Sequence, residues 1–491
     1  MSTGSTDGDG LGARIADYFD FAEYGTNLKT ETIAGVTTFL AMAYIIVVNP
    51  SIIAPAIIGE YPPIEPGTTT TINGEIFTYG EVVQMLTVVT ILASVIAILV
   101  MALYANRPFG LAPGMGLNAF FTFTVVLLLG VPWQVALAAV FVEGIVFIVL
   151  TAVGARRYII ELFPEPVKFA VGAGIGVFLL FLGFQEIQVV TGDPETLVTL
   201  GNVLESPVAA AGLAGLLLTL LLYARGVTGS IVIGILLTAA GAWLATIAGF
   251  VERGTITPSE GDVVTSVQYD FTPLVYEFVD GLGMITEDPL VFLLVVFTFF
   301  FVDFFDTAGT LIGVSQIGDF LDEDGNLPDI DEPLMADAVG TTAGAVMGTS
   351  TVTTYIESST GVEEGGRTGF TALVVGVLFA LSLVLVPVVT AIPTFATYIA
   401  LVVVGIIMLQ GVADIDWQDP SWAIAAGLTI TIMPLTASIA NGLAAGIISY
   451  PFIKLATGER RDVSAGQWVL AVAFIVYFAV YFSVQAGDFA F

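Results

Sequence analysis

The chain has 491 residues, 56% of them hydrophobic, with 44 acidic and 12 basic side chains and a formal charge of −32. So apolar a sequence is that of a polytopic membrane protein, and so acidic a one excludes a nucleic-acid binder. Cysteine and histidine are both absent, which removes disulfides, thiolate or imidazole metal sites, Ser-His-Asp catalysis and the usual proton shuttle near pH 7. Neither enzyme chemistry, a metal nor a cofactor is expected, and any proton chemistry must use carboxylates.

Residues 1–30 form a polar, acidic, Gly/Ser-rich tail without the pattern of a cleavable signal. Apolar runs of roughly membrane-crossing length follow at 33–49, 82–104, 133–153, 166–189, 207–224, 229–249, 290–315, 334–347, 368–388, 392–412, 421–435 and 437–456. Two interrupted segments, 108–129 and 349–362, add the third and tenth of an expected fourteen spans. A further stretch, 467–485, reads as an added span or an interfacial helix.

The acids gather in the tail and in the loops 250–288 and 316–333, as on a surface adapted to high salt. Their spacing in 319–331 is not that of an EF-hand. With the N-terminus inside, Arg14, Lys29, Arg107, Arg156, Arg157, Lys168, Arg225, Arg367, Lys454, Arg460 and Arg461 all fall on the cytoplasmic side, and only Arg253 outside. That bias is the one membrane insertion favours.

The two halves echo each other. TGSIVIGI (228–235) resembles TASIANGL (436–443), and 166–185, from Pro166 to Gln185, resembles 393–410, from Pro393 to Gln410. An odd number of spans per half makes such repeats inverted, so the two broken segments correspond. Paired broken spans in an inverted repeat point to a midplane site in a secondary transporter.

Three stretches carry candidate chemistry. In NRPFGLAPGMGLNAFFTFTVV (106–126), glycines around Pro113 let backbones approach closely and Asn118 offers both donor and acceptor. In FFFVDFFDTAGTLIGV (299–314), Asp303 and Asp306 stand three apart in an apolar span, where an acid is expensive and functional by default. Asp306 opens a polar run and is the expected ligand contact, with Asp303 supporting it.

The third stretch, GTSTVTTYIESSTGVEEGGRTG (348–369), is full of hydroxyls, β-prone from Thr349 to Ile356, and carries Glu357. Lipid tolerates such backbone only where protein or a watery cavity surrounds it. A short extended piece followed by a half-helix near Glu357 would place Thr353, Thr354, Tyr355, Glu357 and Ser358 at mid-membrane depth beside free backbone N–H groups. Asp337 and Glu143 are further acids within spans, Glu143 as an interhelical tie. Tyr44 and Asn49 are candidates to line the site from the first span, with interior packing the alternative for Tyr44.

Together with VTTFLAMAYIIVVNP (36–50), ADAVGTTAGAVMGTS (336–350) and MPLTASIANGL (433–443), these stretches resemble the azaguanine-type branch of nucleobase:cation symporters, permeases for adenine, guanine and hypoxanthine related to uracil and xanthine permeases. The resemblance runs from about residue 15 to 460. It implies an all-α polytopic fold of fourteen segments in a seven-plus-seven inverted repeat (31–249 and 290–456), with short strands in segments 3 and 10. A core domain (spans 1–4 and 8–11) and a gate domain (5–7 and 12–14) would follow, with a C-terminal tail over 457–491. A homodimer, if formed, would use the gate.

The resemblance also places substrate contacts on Asp306, Glu357 and Asn118, with Asp337 in support. Tyr44, Phe120 or Tyr355 would stack on a purine ring, with Thr354 and Ser358 nearby. It implies purine import by proton symport across the plasma membrane. A sodium-coupled or uracil/xanthine carrier, or an anion carrier of related fold, is the alternative. An intramembrane protease would need its aspartates opposed across two spans.

Overall fold

The computed structural model describes all residues except 1–10, 63, 65–66, 155–162, 260–262, 264–268, 286–288, 323–326 and 486–491. Arg156 and Arg157, and parts of the tail and of both acidic loops, lie outside the described residues.

Helix follows helix through most of the chain. A short helix, α1 (Leu11–Tyr18), precedes α2 (Leu28–Met42) and α3 (Ile45–Ile58), which together make the first crossing. Asn27 caps α2 by accepting from the backbone N–H groups of Lys29 and Thr30. The turn at Ala43–Tyr44 separates the two helices, and α3 is buried from Ile45 to Ile57 despite Pro50 and Pro55. A hairpin, β1 (Thr69–Ile72) with β2 (Glu75–Thr78), leads into α4 (Tyr79–Leu103), opened by a Thr78–Glu81 capping box.

The third segment is broken as its glycines and proline predict. β3 (Leu111–Pro113) gives way to α5 (Met115–Ala119), which continues as a π-helix over Phe120–Leu128. Next come α6 (Trp133–Ala152), α7 (Glu165–Glu186), the hairpin β4 (Val190–Asp193)–β5 (Leu197–Leu200), α8 (Pro207–Ala224) and α9 (Ser230–Ile247).

The second half repeats the plan. After α10 (Glu277–Met284) come α11 (Pro289–Ile317), α12 (Asp331–Met347), β6 (Val352–Thr354), α13 (Ser358–Glu363) and α14 (Gly369–Leu381), the last prolonged to Val389. The series closes with α15 (Thr394–Met408), α16 (Pro420–Leu435), α17 (Ile439–Ala456) and α18 (Ala465–Gln485).

Ten of these helices, α2 and α3 counted as one, are long and apolar enough to cross a membrane. The other expected spans fall on shorter or broken pieces: Met115–Leu128, α12, α13 and α16. Ten full-length crossings are thus present among the described residues, and the expected fourteen is reached only by counting these shorter pieces with them. The 467–485 stretch packs on the bundle, with Phe474 of α18 5.3 Å from Phe297 of α11 and Trp468 5.4 Å from Phe452 of α17.

The two halves interleave. Helices α2–α6 pack with α10–α14, whereas α7–α9 pack with α15–α17. β3 pairs antiparallel with β6, Ala112 opposite Thr353, so the two broken segments meet. The matching echoes also meet equivalent roles. TGSIVIGI and TASIANGL each open a helix, and Gly229 and Ala437, one step before each helix-opening serine, both hold left-handed backbone at φ 72° and 47°. α7 and α15 cross so closely at Gly176 and Gly405 that a Cβ on either would fall within 2.8 Å of the other's carbonyl oxygen.

One tie escapes the sequence reading. Glu31, fully buried in α2, accepts from Arg367 N at 3.0 Å, Thr368 Oγ1 at 2.9 Å, Thr371 N at 3.2 Å and Thr371 Oγ1 at 2.6 Å. Its carboxylate thus accepts from N–H groups just before α14 and from Thr371 N in its first turn, which also reaches Thr368 O. Glu31→Ala strands those buried donors, at a cost of about 2–3 kcal/mol. The expected result is an apparent Tm several degrees lower in detergent, read by thermal unfolding; an unchanged Tm would mean that water replaces the carboxylate.

Candidate functional site

The β3–β6 pair puts irregular backbone in the middle of the helical bundle, and its polar groups are met one by one. Gly114 N donates to Thr351 O (3.0 Å) and Tyr355 N to Gly110 O (3.0 Å), extending the pairing at both ends. Gly110 N donates to Ser358 Oγ (2.9 Å), Thr341 Oγ1 to Val352 O (2.9 Å) and Tyr355 Oη to Pro113 O (2.5 Å). Buried backbone inside a membrane protein requires this accounting.

A layer of side chains supports the pair. Asp337 on α12 accepts from Thr354 N through Oδ1 (3.0 Å), and its Oδ2 lies 3.0 Å from Thr307 Oγ1. The same hydroxyl is 3.2 Å from Asp303 Oδ1 and 2.8 Å from Thr353 Oγ1. Its single proton serves one acceptor at a time. Asp303 and Asp337 are fully buried. Glu143 on α6, also buried, accepts from Thr351 Oγ1 at 3.3 Å, tying that helix to the strand.

Asn118 sits in a second network. Its Nδ2 donates to Asn49 Oδ1 (2.6 Å), its Oδ1 accepts from Ser350 Oγ, and Asn49 Nδ2 donates to Thr90 Oγ1 (2.7 Å). Both the nitrogen and the oxygen of the amide are therefore engaged by protein. Phe120 is likewise turned inward, edge-on to Phe299 at 5.0 Å. Ser358 is taken up by its bond to Gly110 N.

Asp306 and Glu357 differ from these. Both are half-buried. Asp306 makes no hydrogen bond among the described residues, and a Cβ on Gly114 would lie 3.8 Å from its Oδ2, so it stands at the start of α5. Glu357 immediately precedes α13, and Tyr44 Oη donates to its Oε1 at 2.6 Å. The Tyr44 and Tyr355 rings lie 6.5 Å apart, tilted by 46°. Thr354 Oγ1 is buried with no partner among the described residues. The wall therefore presents two carboxylates and two tyrosine rings, with the unmatched Thr354 hydroxyl buried on the adjoining strand.

The half-helix departs from expectation in one respect. The N–H groups at its start are not free: Ser358 N donates to Tyr355 O (3.1 Å), Ser359 N to Ile356 O (3.0 Å) and Thr360 N to Glu357 O (3.1 Å). A tight turn through 355–360 satisfies them before α13 begins. α13 is only six residues long, too short to act as a strong dipole.

Paired strands amid broken spans, buried acids and interleaved halves define the fold of a membrane carrier, and the candidate site lies where the two half-chains meet. Residues 29–445 match the permease family, in its xanthine/uracil branch, and the chain belongs to that family. It is 39% identical to the guanine/hypoxanthine permease PbuG of Bacillus subtilis, over 94% of this chain and 98% of that one. It is 36% identical to the adenine permease AdeP of Escherichia coli, over 96% and 97%. In fold it is similar to the transmembrane domain of the cyanobacterial bicarbonate transporter BicA, at TM-score 0.55 and 12% identity, over 85% of this chain and 97% of that one. It is thus a multi-pass membrane permease, not an enzyme.

Proposed function

We propose that the protein imports purine nucleobases, adenine, guanine or hypoxanthine, by proton symport across the cell membrane. The observation that carries this reading is the placement of Asp306 and Glu357, the two carboxylates left partly accessible, beside the paired broken segments. The permeases PbuG and AdeP narrow the cargo to purines by their names.

A purine offers ring N–H groups in its plane. Asp306 and Glu357 accept them, Thr354 Oγ1 meets a third polar edge, and Tyr44 and Tyr355 flank the ring. Asn118, Phe120, Ser358, Asp303 and Asp337 hold this wall in place. Helices α2–α6 and α11–α14 act as the core and α7–α9 with α15–α17 as the gate, so that movement between the two groups exposes the site to alternate sides. A proton is the coupling ion, carried on a carboxylate because no histidine is present.

The test is uptake of labelled hypoxanthine, adenine and guanine by cells lacking their own purine carriers. Competition by an unlabelled panel that includes xanthine and uracil, with and without a protonophore and in sodium-free buffer, separates the readings. Purine-selective uptake abolished by the protonophore is expected; selective competition by uracil, or dependence on sodium, would replace the corresponding part of the proposal.

Orientation is tested separately. The N-terminus and the 316–333 loop are cytoplasmic in this reading, and the 50–81 and 250–288 loops external. Single cysteines introduced into this cysteine-free chain report it with an impermeant thiol reagent: Thr255→Cys is labelled in sealed cells and Asp329→Cys is not. Labelling of Asp329→Cys from outside inverts the topology.

A further inference from the structure

A cavity of about 340 Å³ lies away from the Asp306–Glu357 cluster, at the end of the bundle that carries the β1–β2 hairpin. The described part of the 250–259 loop covers it. Neither Asp306 nor Glu357 lines it. On one side of it stand Ser51 on α3 and Tyr79 on α4, on the other Glu186 at the end of α7 and Tyr398 on α15. It therefore lies between the two helix groups.

Glu186 makes no hydrogen bond or ion pair among the described residues. It stands half-buried at the end of a 22-residue apolar helix. Tyr398 Oη donates to Ser51 O at 3.1 Å, joining the two helix groups along the cavity wall. Ser51 is two residues from Asn49, which bonds to Asn118 in the central network, a rise of about 3 Å along α3. The Tyr398–Ser51 bond thus ties the cavity wall to the helix that carries Asn49.

We propose that this cavity is a second, outer binding site for the same class of ligand, a neutral planar heterocyclic base with ring N–H donors, which docks on Glu186 before passing Tyr398. This rests on the reading of the protein as a base permease. Tyr79, Phe395 and Tyr398 supply flat walls for a ring, Glu186 accepts its N–H, and Gln188, whose Oε1 accepts from Ser206 Oγ at 2.7 Å, offers its amide as a donor. The volume falls within the usual range of small-molecule pockets. A hard metal ion would need several convergent oxygens, and among the described residues no group of three acids is placed to hold one.

The experiment is equilibrium binding of labelled hypoxanthine and adenine to the purified full chain in nanodiscs, alongside uptake kinetics in cells. Wild type binds two molecules per chain. Glu186→Gln and, independently, Thr255→Trp, which fills the cavity from its exposed loop without changing charge, each leave one. Asp306→Asn leaves the other. In uptake, Glu186→Gln raises KM by about tenfold with Vmax kept, the lower end of what one charge-assisted hydrogen bond contributes. One molecule per wild-type chain, lost in Asp306→Asn and kept in both cavity variants, overturns the outer site and leaves the permease reading standing. No binding of either base to wild type overturns both. Well-folded cavity variants with unaltered KM also sink the proposal, whatever the stoichiometry.

Discussion

Asp306→Asn is expected to abolish uptake while the protein inserts and folds as before. The carboxylate belongs to a 29-residue, predominantly apolar helix, and no hydrogen bond among the described residues holds it. An acid retained at such depth without a structural bond is there for a ligand or for coupling. The amide keeps the shape but removes the charge from any hydrogen bond to a base N–H. Loss of one charge-assisted bond weakens binding by about 10- to 100-fold, and a role in coupling removes what transport remains. Asp303→Asn, one turn away, acts differently. Asp303 is fully buried against Thr307, so its replacement disturbs the layer beneath the strands and lowers thermal stability more than it lowers transport. Uptake, membrane abundance and apparent Tm measured side by side separate the two. Equal, small effects on uptake would show that the contacting face of α11 has been misassigned.

How far these assignments can be read without a structure depends on sequence distance. The broken segments were legible because hydroxyls, glycines and a β-prone run have no place against lipid. Their pairing through Ala112 and Thr353 was legible only as an inverted-repeat correspondence. The inequality of Asp303 and Asp306 was hinted at by neighbours, a polar run after one and Val and Phe around the other. By contrast, Tyr44 and Glu357 are 313 positions apart, and nothing local distinguishes a tyrosine that donates to a carboxylate from one that merely fills space.

Glu31 was invisible for another reason. It stands at the head of the first apolar run, where an acid reads as the end of a polar tail, yet it caps a helix 340 residues later in the chain. Asn118 shows the converse. Its chemistry suited a ligand, but three-dimensional neighbours, Asn49 and Ser350, engage its amide. The half-helix amides were misread because propensity located the helix start without revealing the tight turn before it. Residue type marks where polar groups must be satisfied; the fold decides by whom.

Glu357→Gln is the second large effect, and it divides binding from coupling. Tyr44 Oη donates to Glu357 Oε1 at 2.6 Å, and a glutamine carbonyl in the same place still accepts that bond, without the charge that strengthens it. The side chain's length, its position at the head of α13 and one acceptor for a base N–H all survive. What disappears is the capacity to take up and release a proton, and the chain has no histidine to supply it. The variant is therefore expected to bind purine within about tenfold of wild type, to exchange labelled for unlabelled base across vesicle membranes, and to fail to concentrate it against a gradient. Tyr44→Phe serves as the contrast: it removes the donor but leaves the carboxylate, so affinity falls while proton-driven accumulation persists. Vesicles with an imposed proton gradient, assayed for both counterflow and net accumulation, distinguish these outcomes. Concentrative, pH-dependent uptake at the wild-type level in Glu357→Gln would remove this residue from the coupling step and leave Asp306 as the remaining half-buried carboxylate in the site able to carry the proton.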